Sequence, residues 1–198
     1  MNKKKTFEQV PRVNLLTMFR LGLFYMGLSM MSLLTLGVLN RFMIQELAIP
    51  ATIVGAVLAI PLFVSPTRVW FGQMSDAKPL FGYHRTAYVW MGATVFTIAS
   101  FIAVQVIWQL GNVVSAAGSW AWTTQTYGWI GLLALIFAIY GIAISASSTT
   151  FTALLVDISE EDNRSKIVGI VWSMLMVGVI VGSIVSGSLP STARRPTP

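Results

Sequence analysis

Five stretches of about 20 residues carry no charge at their centres, and that pattern leaves the chain few possible folds. They lie near 21–39, 51–70, 88–110, 127–156 and 167–189. As helices rising ~1.5 Å per residue, each can cross a hydrocarbon core of ~30 Å. In lipid every backbone polar group must be satisfied within its own segment, so helix is the expected state. The alternating ten-residue segments of a β-barrel are absent. The sequence therefore predicts an all-α, polytopic membrane protein with about five transmembrane helices. Composition points the same way. Of 198 residues, 55% are hydrophobic and only 10% charged, against about 25% charged in soluble domains. So few polar residues could not cover a soluble exterior.

The sparse charges set an expected orientation. Lys3, Lys4, Lys5 and Arg12 precede the first span, Lys78 and Arg85 separate the second and third, and Arg164 and Lys166 separate the fourth and fifth. The alternate connections hold Arg41 in one case and no basic residue in the other. The positive-inside rule then puts the basic segment 1–20, the 72–87 loop and the 157–166 loop in the cytoplasm. The net charge of +6 reflects topology on this reading rather than nucleic-acid binding. The first apolar run has full spanning length and lacks a small-residue cleavage site, so it reads as a retained helix rather than a signal peptide. Trp70, Trp90, Trp108 and Trp129 fall near expected span ends, where indoles favour the interface. The tail 190–198 carries Arg194 and Arg195 on the wrong side for the rule, and with an odd number of spans this is expected to mark a truncated product, the alternative being that a short tail tolerates two arginines. No cysteine is present and only one histidine, which excludes thiolate chemistry and a histidine-rich metal site.

Two cytoplasmic connections concentrate the ionisable groups. In the first, Gly72 is expected to let a neighbouring helix approach, Asp76 to sit just past the end of the second span, and Pro79 with Gly82 to turn the chain before Arg85. A carboxylate and a guanidinium there can pair with each other, with helix ends or with another helix, which is the behaviour of a gate latch. Gly-x-x-x-Asp followed by Gly82 and Arg85 resembles the loop signature of the major facilitator superfamily, although Ala77 stands where an arginine is usual. The second connection, Asp157-Ile-Ser-Glu-Glu-Asp-Asn-Arg164, is similar to that superfamily's acidic-then-arginine connection.

A more specific resemblance follows from Pro66-Thr-Arg68, Ser75-Asp76 and Gly82-Tyr-His-Arg85-Thr-Ala-Tyr88-Val-Trp-Met-Gly92. These match the PucC-type branch, also called the bacteriochlorophyll delivery family, with a departure at Ala87, where proline is frequent. The resemblance implies the N-terminal half of a major-facilitator-type bundle, with a missing C-terminal half as one partner. It also implies a photosynthetic membrane (inner, thylakoid or intracytoplasmic), a chlorophyll-type pigment as cargo, and light-harvesting or photosystem subunits as further partners. Arg68, Asp76, Arg85 and Tyr88 would be the branch-specific positions.

Within the spans the sequence offers little chemistry. Arg20, Arg41 and Arg68 are expected near span ends, where their stems can snorkel. Arg68 is either an interfacial anchor or the partner of an acidic group. Gly178, Gly182 and Ser186 recur every four residues, as do small residues from Ala134 to Ser148 at 4-3-4-3 spacing, and both stripes read as helix-packing faces. The hydroxyls of Ser145-Ala-Ser-Ser-Thr-Thr150 are expected to bond back to their own helix. For a pigment's magnesium, His84 lies in a loop, and Asn40, Gln105 and Gln109 sit near span ends. The acidic run Glu160-Glu161-Asp162 reads as a solvated surface. No catalytic constellation emerges, and the substrate site stays unassigned. Pro61 and Pro66 are expected to kink or open the second span. Three functions remain open: a pigment carrier-like protein, a solute facilitator built from rocking halves, or an assembly factor that transports nothing.

Overall fold

The computed structural model describes residues 15–77, 82–83, 85–118, 120–159 and 161–188. Apart from one π-helical turn, the described elements are α-helices: α1 (Leu15–Arg41), α2 (Ala51–Phe63), α3 (Thr67–Ala77), α4 (Thr86–Ala117), α5 (Thr124–Ile158) and α6 (Glu161–Ser188). No strand runs through the described residues. α1 continues into a π-helical turn, Phe42–Glu46, so the first span is longer than its apolar centre. The five stretches long and apolar enough to cross a membrane are Leu15–Glu46, Ala51–Ala77, Thr86–Ala117, Thr124–Ile158 and Arg164–Ser188.

Local chemistry sets the boundaries. Pro50 begins α2, where its missing N–H removes nothing. Thr123 caps α5, its side chain accepting from the Thr126 amide at 3.2 Å. Gly118 ends α4 at φ 73°, a left-handed conformation that costs glycine nothing. The second span breaks at 64–66. There the Ser65 and Thr67 hydroxyls donate back to Leu62 and Val64 carbonyls at 2.7 and 2.8 Å, satisfying groups the break frees.

Two helix pairs make most of the packing. α4 and α5 run antiparallel, and α1 and α6 run parallel; α2 and α3 lie against α5. A larger core of Leu39, Met43, Val54, Phe96, Ile107, Leu110, Leu133, Phe137 and Tyr140 fills the end of the bundle away from the charged connections. A smaller one, built on Met18, Tyr25, Val89, Phe151, Leu155, Ile167 and Val171, fills the charged end. Large apolar side chains also face outward, among them Phe63, Trp90 and Trp108, as lipid contact requires and water would penalise.

Several expected boundaries shift. The second span does not stop at 70 but runs to Ala77, so Asp76 lies in the last turn of α3 rather than beyond a helix end. Most of the presumed 157–166 loop is helix: Asp157 belongs to α5 and Arg164 to α6. Residues 15–20 are already helical. Lys3 to Lys5, Arg12, Lys78, Pro79, His84, Glu160, the Glu161 and Asp162 side chains, and the tail from 189 lie outside the described residues.

Candidate functional site

Arg85 organises the charged end. It sits at the N-cap of α4, its side chain only 19% exposed. Its Nη2 lies 2.9 Å from Asp76 Oδ1 on α3, and its Nε lies 2.6 Å from Asp157 Oδ2 on α5. One guanidinium thus joins the ends of three helices. A planar fork of donors can serve two carboxylates at once, which an ammonium does less well. The cluster keeps one negative charge in excess, and both carboxylates are half-exposed, so water and salt weaken it. Gly82, at φ 81°, takes the left-handed turn that leads into it. Tyr88 is buried in the first turn of α4. Beside them Ser147 Oγ donates to the Val89 carbonyl at 3.1 Å, tying α5 to α4.

Pairing of Asp76 with Arg85 was among the sequence's possibilities. The second partner, Asp157, was not foreseen, although both residues bordered connections expected on the same side of the membrane. Arg164 stands exposed on α6 and is not part of the cluster. Gly72 departs from its expected role. A Cβ there would lie 3.7 Å from Thr149 Cγ2, ordinary contact distance, so the approach of α5 does not demand glycine. The positions where backbone atoms leave no room for a Cβ include Gly92, where it would come within 2.7 Å of the Ser147 amide nitrogen, Gly141, 2.7 Å from Pro61 Cα, and Gly178, where it would run into the Met26 carbonyl oxygen.

The α6 stripe packs on α1. Gly178 lies against the Met26 carbonyl and Ser29, a Cβ on Gly182 would lie 3.4 Å from the Met30 carbonyl oxygen and from Leu33 Cδ2, and Ser186 lies opposite Gly37. Ser29 Oγ donates to the Leu175 carbonyl at 3.1 Å, crossing the same interface. Of the α5 hydroxyls, Thr150 bonds back to the Ala146 carbonyl at 2.6 Å, as expected. Ser147 crosses to α4 instead, and buried Ser145 Oγ finds no partner among the described residues.

Between α1, α5 and α6 opens a cleft of about 540 Å³, within the ~300–1,000 Å³ typical of small-molecule sites. Tyr25, Ser29, Ser32, Ser148 and Arg68 supply its polar atoms; Leu28, Leu36, Trp172 and Leu175 are among its apolar walls. Three hydroxyl contacts hold α1 to α5 along it: Tyr25 with Thr152 at 2.9 Å, Tyr25 donating to the Ser148 carbonyl at 3.4 Å, and Tyr140 donating to Ser32 at 3.0 Å. The sequence reading missed Tyr25, Ser29 and Ser32. Their 4-3 spacing within the first apolar run was the available signal. Asn40, Gln105 and Gln109 do not line this cleft.

Residues 38–197 match the family model described as PUCC protein. Over 187 residues the chain is 34% identical to Protein PucC of Rhodovulum sulfidophilum, an alignment covering 91% of this chain and 38% of that protein. Protein PucC of Rhodobacter capsulatus is 34% identical over 189 residues, covering 92% and 38%. A Rhodobacter capsulatus protein named bacteriochlorophyll synthase 44.5 kDa chain is 31% identical over 168 residues, covering 84% and 35%. The chain spans little more than a third of the length of these curated relatives. No solved structure matches.

Proposed function

The chain belongs to the PUCC protein family, and from that premise we propose that it serves the assembly of photosynthetic complexes as a carrier-like membrane protein handling (bacterio)chlorophyll. One of its relatives is named as a bacteriochlorophyll synthase chain, which supports the pigment reading. The observation that carries the carrier-like reading is the Arg85 bridge to Asp76 and Asp157. A half-wet ion cluster joining three helix ends can hold those ends together or let them part, which is what a latch between two arrangements needs. On this reading the five spans are the N-terminal half of a major-facilitator-type bundle, and the charged end faces the cytoplasm. The whole protein's partners would be a second helical half and light-harvesting or photosystem subunits.

Purification of the tagged chain from a photosynthetic host tests it. (Bacterio)chlorophyll and light-harvesting subunits are expected to co-elute above the level seen with an unrelated five-span protein. Elution with neither removes the reading. Light-harvesting subunits without pigment would favour a non-transporting assembly factor. Saturable uptake of a small solute by vesicles, without pigment, would favour a solute facilitator. Orientation has a separate test, because the chain has no cysteine. In sealed vesicles, Ala77→Cys should react only with reagent on the cytoplasmic side and Thr123→Cys only from the opposite side.

A further inference from the structure

The two halves of the second span are held in different ways. α2 is fixed by apolar packing: Val54 and Val57 are buried in the larger core, and Ile53, Leu58 and Ile60 pack against it. α3 gives no residue to either core. Its Phe71, though buried, lies against Trp70 of the same helix, 5.5 Å between ring centroids. Its hydroxyls turn back on the second span itself, Thr67 to the Val64 carbonyl at 2.8 Å and Ser75 to the Gly72 carbonyl at 2.9 Å. Toward α5 the packing at Gly72 is loose, as the room for a Cβ there shows. The polar tie from the far end of α3 to the bundle is the Asp76–Arg85 pair.

The joint between the halves is built to bend. The amides of Ser65, Thr67, Arg68 and Val69 each bond to the carbonyl three residues back, the tightened turn that often marks a hinge within a helix. Pro61 and Pro66 each remove an amide from the helical ladder. These bonds, and that of the Ser65 hydroxyl to the Leu62 carbonyl, close within 62–69, so they do not anchor the joint to another helix. α2 and α5 run in the same direction and meet where Gly141 faces Pro61, so one turn further on Ser145 comes level with the joint. Its buried hydroxyl has no partner among the described residues and can take up a carbonyl that an opened turn releases.

We infer that α3 is a gate hinged at 64–66, swinging against a fixed α2 and held shut by Arg85. α3 also carries Arg68 on the wall of the cleft between α1, α5 and α6, so its swing changes the width of that cleft. The inference rests on the latch proposed above and names the part that moves; it does not depend on the pigment.

Paired nitroxide labels test it in lipid nanodiscs, since the chain has no cysteine of its own. With Phe101→Cys on α4 as the common reference, Ala77→Cys reports α3, Leu62→Cys reports α2 and Val156→Cys reports α5. The Ala77 pair should show a major and a minor distance, and the other two a single one. In Arg85→Gln the ratio of minor to major should rise about tenfold for the Ala77 pair alone, because two half-exposed pairs go and two carboxylates are left to repel. Raised salt should move the unsubstituted chain the same way, and decides the matter if Arg85→Gln does not fold. Pro66→Ala, which lets the helical ladder close across the joint, should shrink the minor share. A second distance in the Leu62 pair means that the whole second span moves, and overturns the hinge. An unchanged share in Pro66→Ala overturns it too. Change in the Val156 pair alone overturns the inference but keeps a latch, acting between α4 and α5. No change in any pair overturns hinge and latch together, while co-purification from the host judges the pigment reading independently.

Discussion

The α4–α5 and α1–α6 pairs are both long helix couples, yet they are built on opposite plans. α4 and α5 are neighbours in sequence and antiparallel, and they bury large side chains: Phe96 meets Tyr140 at 4.8 Å between ring centroids, and Phe137 stacks edge-on to Tyr140 at 5.8 Å. α1 and α6 are far apart in sequence and parallel, joined by glycines, methionines and serines. In their most apolar stretches α4 and α5 are 39% and 50% buried inside the protein, whereas α1 and α6 are 11% and 22%. In lipid there is no hydrophobic gain from pressing two apolar helices together, so contact depends on shape and on hydrogen bonds. The difference marks α4–α5 as the frame. α1–α6 is a thinner wall, with the cleft on one side and lipid on the other.

The sharpest way to break that contrast is Gly92→Val. Its Cβ would meet the Ser147 nitrogen at 2.7 Å and the Ala143 carbonyl oxygen at 2.8 Å. Both are backbone atoms that cannot swing aside, so α4 must move off α5. Overpacking of this kind should cost about 3 kcal/mol or more, read as a large fall in the thermal midpoint in detergent. Within α1–α6 the packing is uneven: Gly178 sits hard against the Met26 carbonyl, so the comparison is Gly182→Ala, which meets Leu33 Cδ2 and the Met30 carbonyl oxygen at 3.4 Å and should cost less than about 1 kcal/mol. Equal losses would show that the end of α1–α6 at Gly182 packs as tightly as α4–α5 does at Gly92.

Arg85→Gln should have a smaller and more local effect. Each pair it makes has one half-exposed carboxylate, and such pairs are worth roughly 0.2–1 kcal/mol apiece. The remaining Asp76 and Asp157 would then sit close together uncompensated, bringing the expected loss to about 1–2 kcal/mol. Raising salt should narrow the gap between variant and parent. Hydrogen exchange should quicken at the ends of α3 and α5 and the start of α4, and stay unchanged along α1–α6. Faster exchange spread evenly over both pairs would mean that the cluster holds the whole bundle rather than one end of it.

The contrast also explains what the sequence could reveal. The five apolar runs were plain because a membrane demands length and the absence of charge, and both are local properties. The α6 stripe was legible for the same reason, since four-residue spacing lies within one helix. Its partner was not, because Met26, Met30, Leu33 and Gly37 carry no mark of facing α6. Arg68 shows the limit most clearly. Trp70 and the prolines suggested a span ending nearby, but α3 restarts after the break and runs on nine residues past Arg68 to Ala77. Asp157 as the second partner of Arg85 required two helix ends to meet in space, and no pattern within either segment encodes that.

Gly72 provides the finest test, because there sequence logic and geometry give opposite signs. A glycine in the signature of the first charged connection suggests close packing, and by that logic Gly72→Ala should destabilise. The structure leaves room: the new methyl would lie 3.7 Å from Thr149 Cγ2, a contact that attracts rather than clashes. Alanine also removes glycine's helix penalty of roughly 0.8–1 kcal/mol. The expected change is therefore between no effect and a gain of about 1 kcal/mol, measured as an unchanged or higher thermal midpoint. A loss greater than about 1 kcal/mol would mean that α3 and α5 pass closer in another arrangement than in this one. Gly72 would then be a close-packing residue of that other arrangement, and the frame formed by α4–α5 would have to include a moving α3.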